Sequence, residues 1–215
     1  MEKQGDPKNH WLQIDHILAY LARADKLPHR TEGEKVLLEQ IPTQTRRILD
    51  LGTGDGRLLS LVKLAKPDAD GVALDFSEPM LERARKRFAE DNKVTMIKHD
   101  LTQPLPIEQL GRFDVVVSSL AIHHLENDRK KELYKEVFGV LNSGGVFCNL
   151  DRVASPTVNL HVKFMEISGT PKTEDPSNKL AAVESQLKWL RQIGFAEVDC
   201  YWKWLEIALL VGFKP

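Results

Sequence analysis

Five short apolar runs succeed one another through the middle of this chain, and their spacing is what most limits the fold. They occupy residues 47–51, 71–75, 94–99, 113–120 and 146–150. Runs of this length read as strands, and the stretches between several of them carry helical patterns. Residues 57–66 form one such stretch. Ser77 can cap a second, whose first turn accepts Pro79 and whose inner face holds Met80, Leu81, Ala84 and Phe88. A third carries Leu133, Val137, Val140 and Leu141 and is expected to end at Gly144 and Gly145. Strand and helix in alternation predict an α/β fold with a doubly wound, Rossmann-like parallel sheet. The unbroken run FDVVVSSL suits a strand covered on both faces.

The flanks differ. Residues 1–45 read as an N-terminal helical lid segment ahead of a domain at 46–215. Ile14, Ile17, Leu18 and Leu21 recur at the spacing of one apolar helix face. Thr31 followed by Glu34 is a capping-box signal ahead of Val36, Leu37, Leu38 and Ile41, and Pro42 stops that helix. Beyond the alternation lies an irregular polar insertion at about 155–178. A helix over 180–193 closes at Gly194, and runs at 195–202 and 207–213 stand close enough to pair antiparallel.

Composition narrows the setting. A chain of 215 residues can bury a core without disulfides or metal. Its formal net charge of −1 argues against a surface built to hold nucleic acid or anionic lipid. The start, MEKQGDPKNHW, lacks the apolar core of a signal peptide, and no apolar run approaches the roughly 18 residues of a membrane span. Cys148 and Cys200 sit in apolar runs with no metal-ligand spacing around them, as buried thiols do in a reducing cytosol. The expectation is a cytoplasmic globular protein with no metal; oligomeric state is not written in the sequence.

The first strand ends in Gly52-Thr53-Gly54-Asp55-Gly56 and a helix follows. That places a tight turn at the carboxyl edge of the sheet, where open α/β sheets bind ligands. The dinucleotide fingerprint wants a third glycine at position 57, where this chain has Arg57. Asp50 and Asp55 flank the helix N-terminus and would repel a pyrophosphate resting there. A phosphate-free adenosyl cofactor carrying an ammonium and a sulfonium meets both objections. Asp75 closes the second strand, placed to accept hydrogen bonds from ribose hydroxyls. Phe76 can stack on adenine, and Asp100, with Leu101 beside it, can meet the adenine amino group. Each acid also has a plainer reading: Asp50 can orient loop N–H groups, Asp75 can cap a helix, Asp100 can cap its loop, and Asp114 opens its strand on the surface.

These residues carry a resemblance. LDLGTGDGR, LDFSEPML, HDLTQPLP, FDVVVSSLAIHHL and LNSGGVF, in that order, resemble the class I S-adenosylmethionine-dependent methyltransferases over about residues 45–213. The resemblance implies a seven-stranded sheet with the last strand antiparallel, S-adenosylmethionine as cofactor and S-adenosylhomocysteine as product. It carries cofactor roles to Gly52, Gly54, Asp75, Asp100 and Ser118 or Ser119; Thr53, Gly56 and Met80 belong to the same candidate shell.

The acceptor side is less constrained. Of the pair His123-His124, adjacent side chains diverge, so one is expected to face the site; His123 is the candidate base and packing its alternative. Asp151 and Arg152 follow the fifth strand and emerge at the same edge, unless they form a surface ion pair. Trp202, Trp11, Tyr20, Arg30 and His124 complete the candidate acceptor wall. Methyl transfer by in-line displacement requires mainly positioning, so no catalytic triad is expected. The chain has no Asn-Pro-Pro-Tyr-like element after the fourth strand and no basic block. A small metabolite offering oxygen, nitrogen, sulfur or a metalloid is therefore the expected acceptor, with nucleic acid and membrane disfavoured. A looser resemblance to carboxy-S-adenosylmethionine synthases implies a different reaction, with an arginine (Arg30 or Arg152) holding the transferred carboxylate. A cofactor-binding subunit without activity is the third reading, and a nicotinamide dehydrogenase the last.

Overall fold

A computed structural model describes residues 13, 21–22, 26–169 and 175–215 of the chain. Seven strands form one sheet: β1 Arg47–Leu51, β2 Asp70–Asp75, β3 Val94–Lys98, β4 Phe113–Ser119, β5 Leu141–Arg152, β6 Ala196–Trp204 and β7 Ile207–Phe213. Their order is β3-β2-β1-β4-β5-β7-β6. The first five strands run parallel, and β7 inserts antiparallel between β5 and β6. This is the doubly wound sheet expected from the alternation, with the antiparallel last strand.

Seven α-helices are described: α1 Arg30–Glu39, α2 Arg57–Ala65, α3 Glu78–Arg87, α4 Ile107–Leu110, α5 Asn127–Val140, α6 Val158–Ser168 and α7 Val183–Ile193. They cover both faces. On one face Leu133, Tyr134 and Val137 of α5 and Leu187 and Leu190 of α7 pack over Val116 and Phe147. On the other, Leu37 of α1 and Leu58, Leu59 and Val62 of α2 pack over Val115, Val117, Val146 and Cys148. Alternate residues of one strand thus serve opposite cores, which is why β4 is apolar through Val115, Val116 and Val117.

Several boundaries fall elsewhere than expected. Helix α5 stops at Val140, and Gly144 and Gly145 lie inside β5, where the β4 register shifts between Phe113 and Val115. Asp114 does more than open a strand. Its carboxylate accepts the Arg46 and Arg47 N–H groups at 2.8 and 3.0 Å and the Asn142 amide at 2.8 Å. The insertion after β5 is not irregular throughout, because α6 occupies eleven of its residues with Thr157 as N-cap. Thr31 caps nothing. Helix α1 begins at Arg30 behind His29, and Glu34 turns away to two arginines. Among the described residues no helix is long and apolar enough to cross a membrane.

Candidate active site

Parallel strands end side by side, so β1, β2, β3 and β4 deliver their following residues to one edge, and a cavity opens there. The glycine turn forms its floor. Gly52, Gly54 and Gly56 adopt φ of 68°, 55° and 82°, a region that favours glycine. The three serve different ends. A Cβ on Gly52 would lie 2.3 Å from the Ala121 Cβ, and one on Gly56 would lie 2.7 Å from the Phe88 ring. Among the described residues, a Cβ on Gly54 would meet nothing nearer than the Met80 Cε at 4.0 Å. Gly52 and Gly56 are therefore required by packing, whereas Gly54 presents bare backbone toward open space.

Hydrogen bonds fix the turn. The Thr53 N–H donates to the Leu74 carbonyl at 2.9 Å, and the Thr53 hydroxyl to Asp50 Oδ2 at 2.6 Å. The Gly54 N–H donates to Asp75 Oδ2 and the Ser77 N–H to Asp75 Oδ1, both at 2.8 Å. Asp75 thus does what its plainer reading proposed, holding both the turn and the start of α3, while still lining the cavity. Each carboxylate oxygen has a further lone pair for a ligand. Burial raises Asp75 to about 6, and burial raises Asp50 to about 7.

Ten of the sequence-derived cofactor candidates line this cavity: Asp50, Gly52, Thr53, Gly54 and Asp75 at the floor, and Phe76, Met80, Asp100, Leu101 and Ser119 around it. Gly56 and Ser118 lie outside the lining. Ser118 is fully buried with its hydroxyl on the Leu51 carbonyl at 2.7 Å, so it ties β4 to β1. Among the described residues, Ser119 Oγ is buried with no hydrogen-bond partner. Asp100 Oδ1 accepts the Thr102 N–H at 2.9 Å, again the capping role beside a place in the lining. Arg57, His99, Leu120, Ala121, Leu125 and Ser177 also line the cavity, unforeseen from sequence. Arg57 had a signal, standing where a dinucleotide turn has glycine.

The histidine pair is reversed from expectation. His124 lines the cavity, while His123 is buried beneath it. His123 Nδ1 lies 2.5 Å from Asp151 Oδ1, and its N–H donates to Asp151 Oδ2 at 2.8 Å. Asp151, 3% exposed, is therefore no surface ion pair; it pins the 3-10 turn at 122–124 from the end of β5. The two imidazoles lie 4.0 Å apart between centroids. Burial, then the neighbouring His123, lowers His124 to about 3, so it is neutral near pH 7. The Ser177 hydroxyl donates to Asp175 Oδ1 at 2.7 Å and lies 2.9 Å from His124 Nδ1. Its single proton is committed to Asp175, so His124 donates from Nδ1 and carries its ring lone pair on Nε2.

Two more acceptor candidates stand apart. Arg152 donates to Glu206 Oε2 at 2.5 Å and stacks over Phe164, away from the cavity. Trp202 is half-buried against α1, where a Cβ on Gly33 would lie 2.8 Å from its ring. Trp11 and Tyr20 lie outside the described residues. Arg30 alone of the arginine candidates is on the cavity wall.

Asp55 is paired with Arg87 Nη2 at 2.5 Å, so its charge is balanced, and burial favours the neutral form of Asp50. Those two acids repel a pyrophosphate less than their sequence positions suggest. Comparison with known proteins decides the point. A family model described as a methyltransferase domain matches residues 48–145. A demethylmenaquinone methyltransferase of Clavibacter sepedonicus is 33% identical over 174 residues, covering 74% of this chain and 69% of that protein. The chain belongs to the class I S-adenosylmethionine-dependent methyltransferases.

A carboxy-S-adenosyl-L-methionine synthase of Nautilia profundicola is 22% identical, covering 83% of this methyltransferase and 81% of that enzyme. Among solved structures, the apo form of the S-adenosylmethionine-dependent methyltransferase SibL superposes with a TM-score of 0.67 at 22% identity. It shares the fold over 86% of this methyltransferase, which spans 55% of that longer chain. The cavity suits the cofactor chemically. Gly54 leaves space that a side chain would fill, the carboxylate of Asp75 can accept from hydroxyls, and no phosphate has to be neutralised.

Proposed function

We propose that this methyltransferase modifies a small-molecule acceptor held at the His124 end of the cavity, beside Leu120, Ala121, Leu125 and Ser177. The observation that carries the reading is one continuous cavity with nucleoside-compatible groups at the β2 and β3 ends and a neutral imidazole beyond β4. Asp75 would take the ribose hydroxyls, Phe76, Asp100 and Leu101 the adenine, and Gly54 the close approach of the amino-acid arm.

S-adenosylmethionine supplies, when bound, a methyl group on a good leaving group. The chain contributes position: the walls at Leu120 and Leu125 exclude water, and His124 orients the acceptor by a hydrogen bond. A base lowered to about pH 3 removes a proton from an ordinary alcohol poorly. The acceptor atom therefore arrives electron-rich, as a thiolate, a free amine, a phenolate or a ring carbon beside one. The name of the Clavibacter relative, demethylmenaquinone methyltransferase, supports the last of these.

The test incubates the protein with methyl-labelled cofactor and fractionated metabolite pools. Label in a small molecule supports the reading. Label only in bulk tRNA, with binding that falls steeply with salt, overturns it. A second reading draws on Arg30, which lines the cavity as a carboxylate-holding arginine would, and on the synthase relatives. A mass gain on the cofactor itself in the presence of prephenate would favour that reading.

A further inference from the structure

We propose that Lys130, in the first turn of α5, is a positioning residue for the acceptor end of the cavity: it ties the segment 177–181 to the 3-10 turn at 122–124 and so holds Ser177 against His124. The inference rests on the acceptor placement above. Lys130 is 1% exposed, and its ammonium donates to the Leu125 and Lys179 carbonyls, with Asn127 Oδ1 at 3.4 Å. Leu125 follows the 3-10 turn and lines the cavity, as does Ser177, two residues before Lys179. One buried cation therefore grips two segments distant in sequence, each of which supplies cavity wall. A backbone bond accompanies it, from the Lys179 N–H to the His123 carbonyl at 2.8 Å. With both backbone polar groups of Lys179 taken, Ser177 is held with its Oγ 2.9 Å from His124 Nδ1. The exposed Lys179–Glu126 pair, at 3.6 Å, adds little.

Packing alone does not account for this lysine. Among the described residues it pairs with no carboxylate, so a charge is taken out of water without a counter-ion in contact. Asp151 and Glu126 attract it from farther off, and Lys179 repels it. The helix dipole also disfavours a cation in a first turn. An apolar side chain would pack α5 without these costs. What lysine brings is three donors at one point, on a stem long enough to reach from the helix to both segments. Burial lowers Lys130 to about 8, so at pH 7 it keeps all three hydrogens, one for each acceptor.

Nitrogen-15 NMR of the histidine rings in the full-length chain tests this, with Lys63→Met as a matched control. Lys63 is also buried, at 6% exposed, and its ammonium donates to the Pro67 and Ala69 carbonyls, but it does not line the cavity. In the wild type His124 should stay neutral, with its hydrogen on Nδ1, from about pH 8 down to about pH 5. Lys130→Met should release the segment and let water reach His124. Its midpoint should then rise toward the ordinary histidine value of about 6.5, and the Lys179 amide should exchange at least about tenfold faster. Lys63→Met should lose stability and leave both readouts as in the wild type. An unchanged His124 titration in Lys130→Met would overturn the proposal, as would an equal change in Lys63→Met. A check on the wild type stands even where Lys130→Met fails to fold: the Lys130 ammonium should show slowly exchanging hydrogens with cross-peaks to Leu125 and Lys179. Exchange as fast as that of a surface lysine would likewise overturn the proposal. None of these readouts uses an acceptor, so metabolite labelling tests the acceptor placement separately.

Discussion

Gly54→Ala isolates the part of the turn that meets ligand. An alanine at φ 55° costs about 1–2 kcal/mol of left-handed strain. Among the described residues no atom lies closer than 4.0 Å to the new methyl, so little packing penalty from them adds to that. In a chain of this size the melting temperature should drop by roughly 2–8 °C, at about 2–4 °C per kcal/mol. The methyl occupies space that the bound cofactor needs. Overpacking of a fitted site costs about 1–3 kcal/mol, or roughly 5- to 150-fold in affinity. Gly56→Ala is the matched control. It carries a similar backbone cost at φ 82° and a contact of 2.7 Å with the Phe88 ring, but it lies outside the cavity. Thermal melts and S-adenosylhomocysteine calorimetry on both variants separate the two effects. Gly54→Ala should lose affinity and only the stability of its backbone strain; Gly56→Ala should lose more stability, through its added clash, and keep affinity. The reverse pattern, or full retention of binding by Gly54→Ala, would refute the assignment of Gly54 to the ligand.

Asp75→Asn leaves one of the Gly54 and Ser77 N–H groups facing an amide, so stability should fall by about 1–3 kcal/mol and cofactor affinity at least tenfold; a melt that shifts with unchanged calorimetric affinity would leave Asp75 a purely structural role. Because burial raises Asp75 to about 6 and Asp50 to about 7, these groups stabilise the ligand-free fold below about pH 4 and progressively less as pH rises through 6–7. Cofactor affinity should move the other way, strengthening by up to about tenfold per pH unit through the same window, since an ionised Asp75 accepts hydroxyl bonds better; a flat affinity profile in calorimetry from pH 5 to 8 would contradict this. His123→Ala strands the buried Asp151 carboxylate and should cost about 3–5 kcal/mol in denaturant melts, whereas His124→Ala should fold normally and lose turnover with its labelled acceptor. Equal turnover in His124→Ala and the wild type would count against an acceptor-side role.

Much of the architecture was legible because strand and helix periods are local properties. The alternation through β5, the antiparallel pairing of β6 with β7 and the turn after β1 all follow from runs of a few residues. What failed depended on partners distant in sequence. Glu34 fits a capping box on spacing alone, yet Arg57, 23 residues on, claims it. Asp55 counts as a free negative charge until Arg87, 32 residues later, balances it. Helix α6 escaped notice because Val158, Val162 and Ile167 are exposed, so no single apolar face stands out in its sequence. At the site, the residues that close strands could be placed at the edge of the sheet. Which of two adjacent histidines faces inward could not, because a 3-10 turn and Asp151 decide it.

Helix α1, near the start of the chain, rests on the strands nearest its end: Gly33 sits against Trp202 of β6 and Leu150 of β5. During synthesis part of its seat is missing until β6 has emerged, so the arginine it contributes to the cavity is fully seated only after that strand is in place. A chain shortened at its carboxyl end would lose more than an edge strand. It would leave the pocket without one wall, and a ribosome releasing it early would yield a sheet with no finished site.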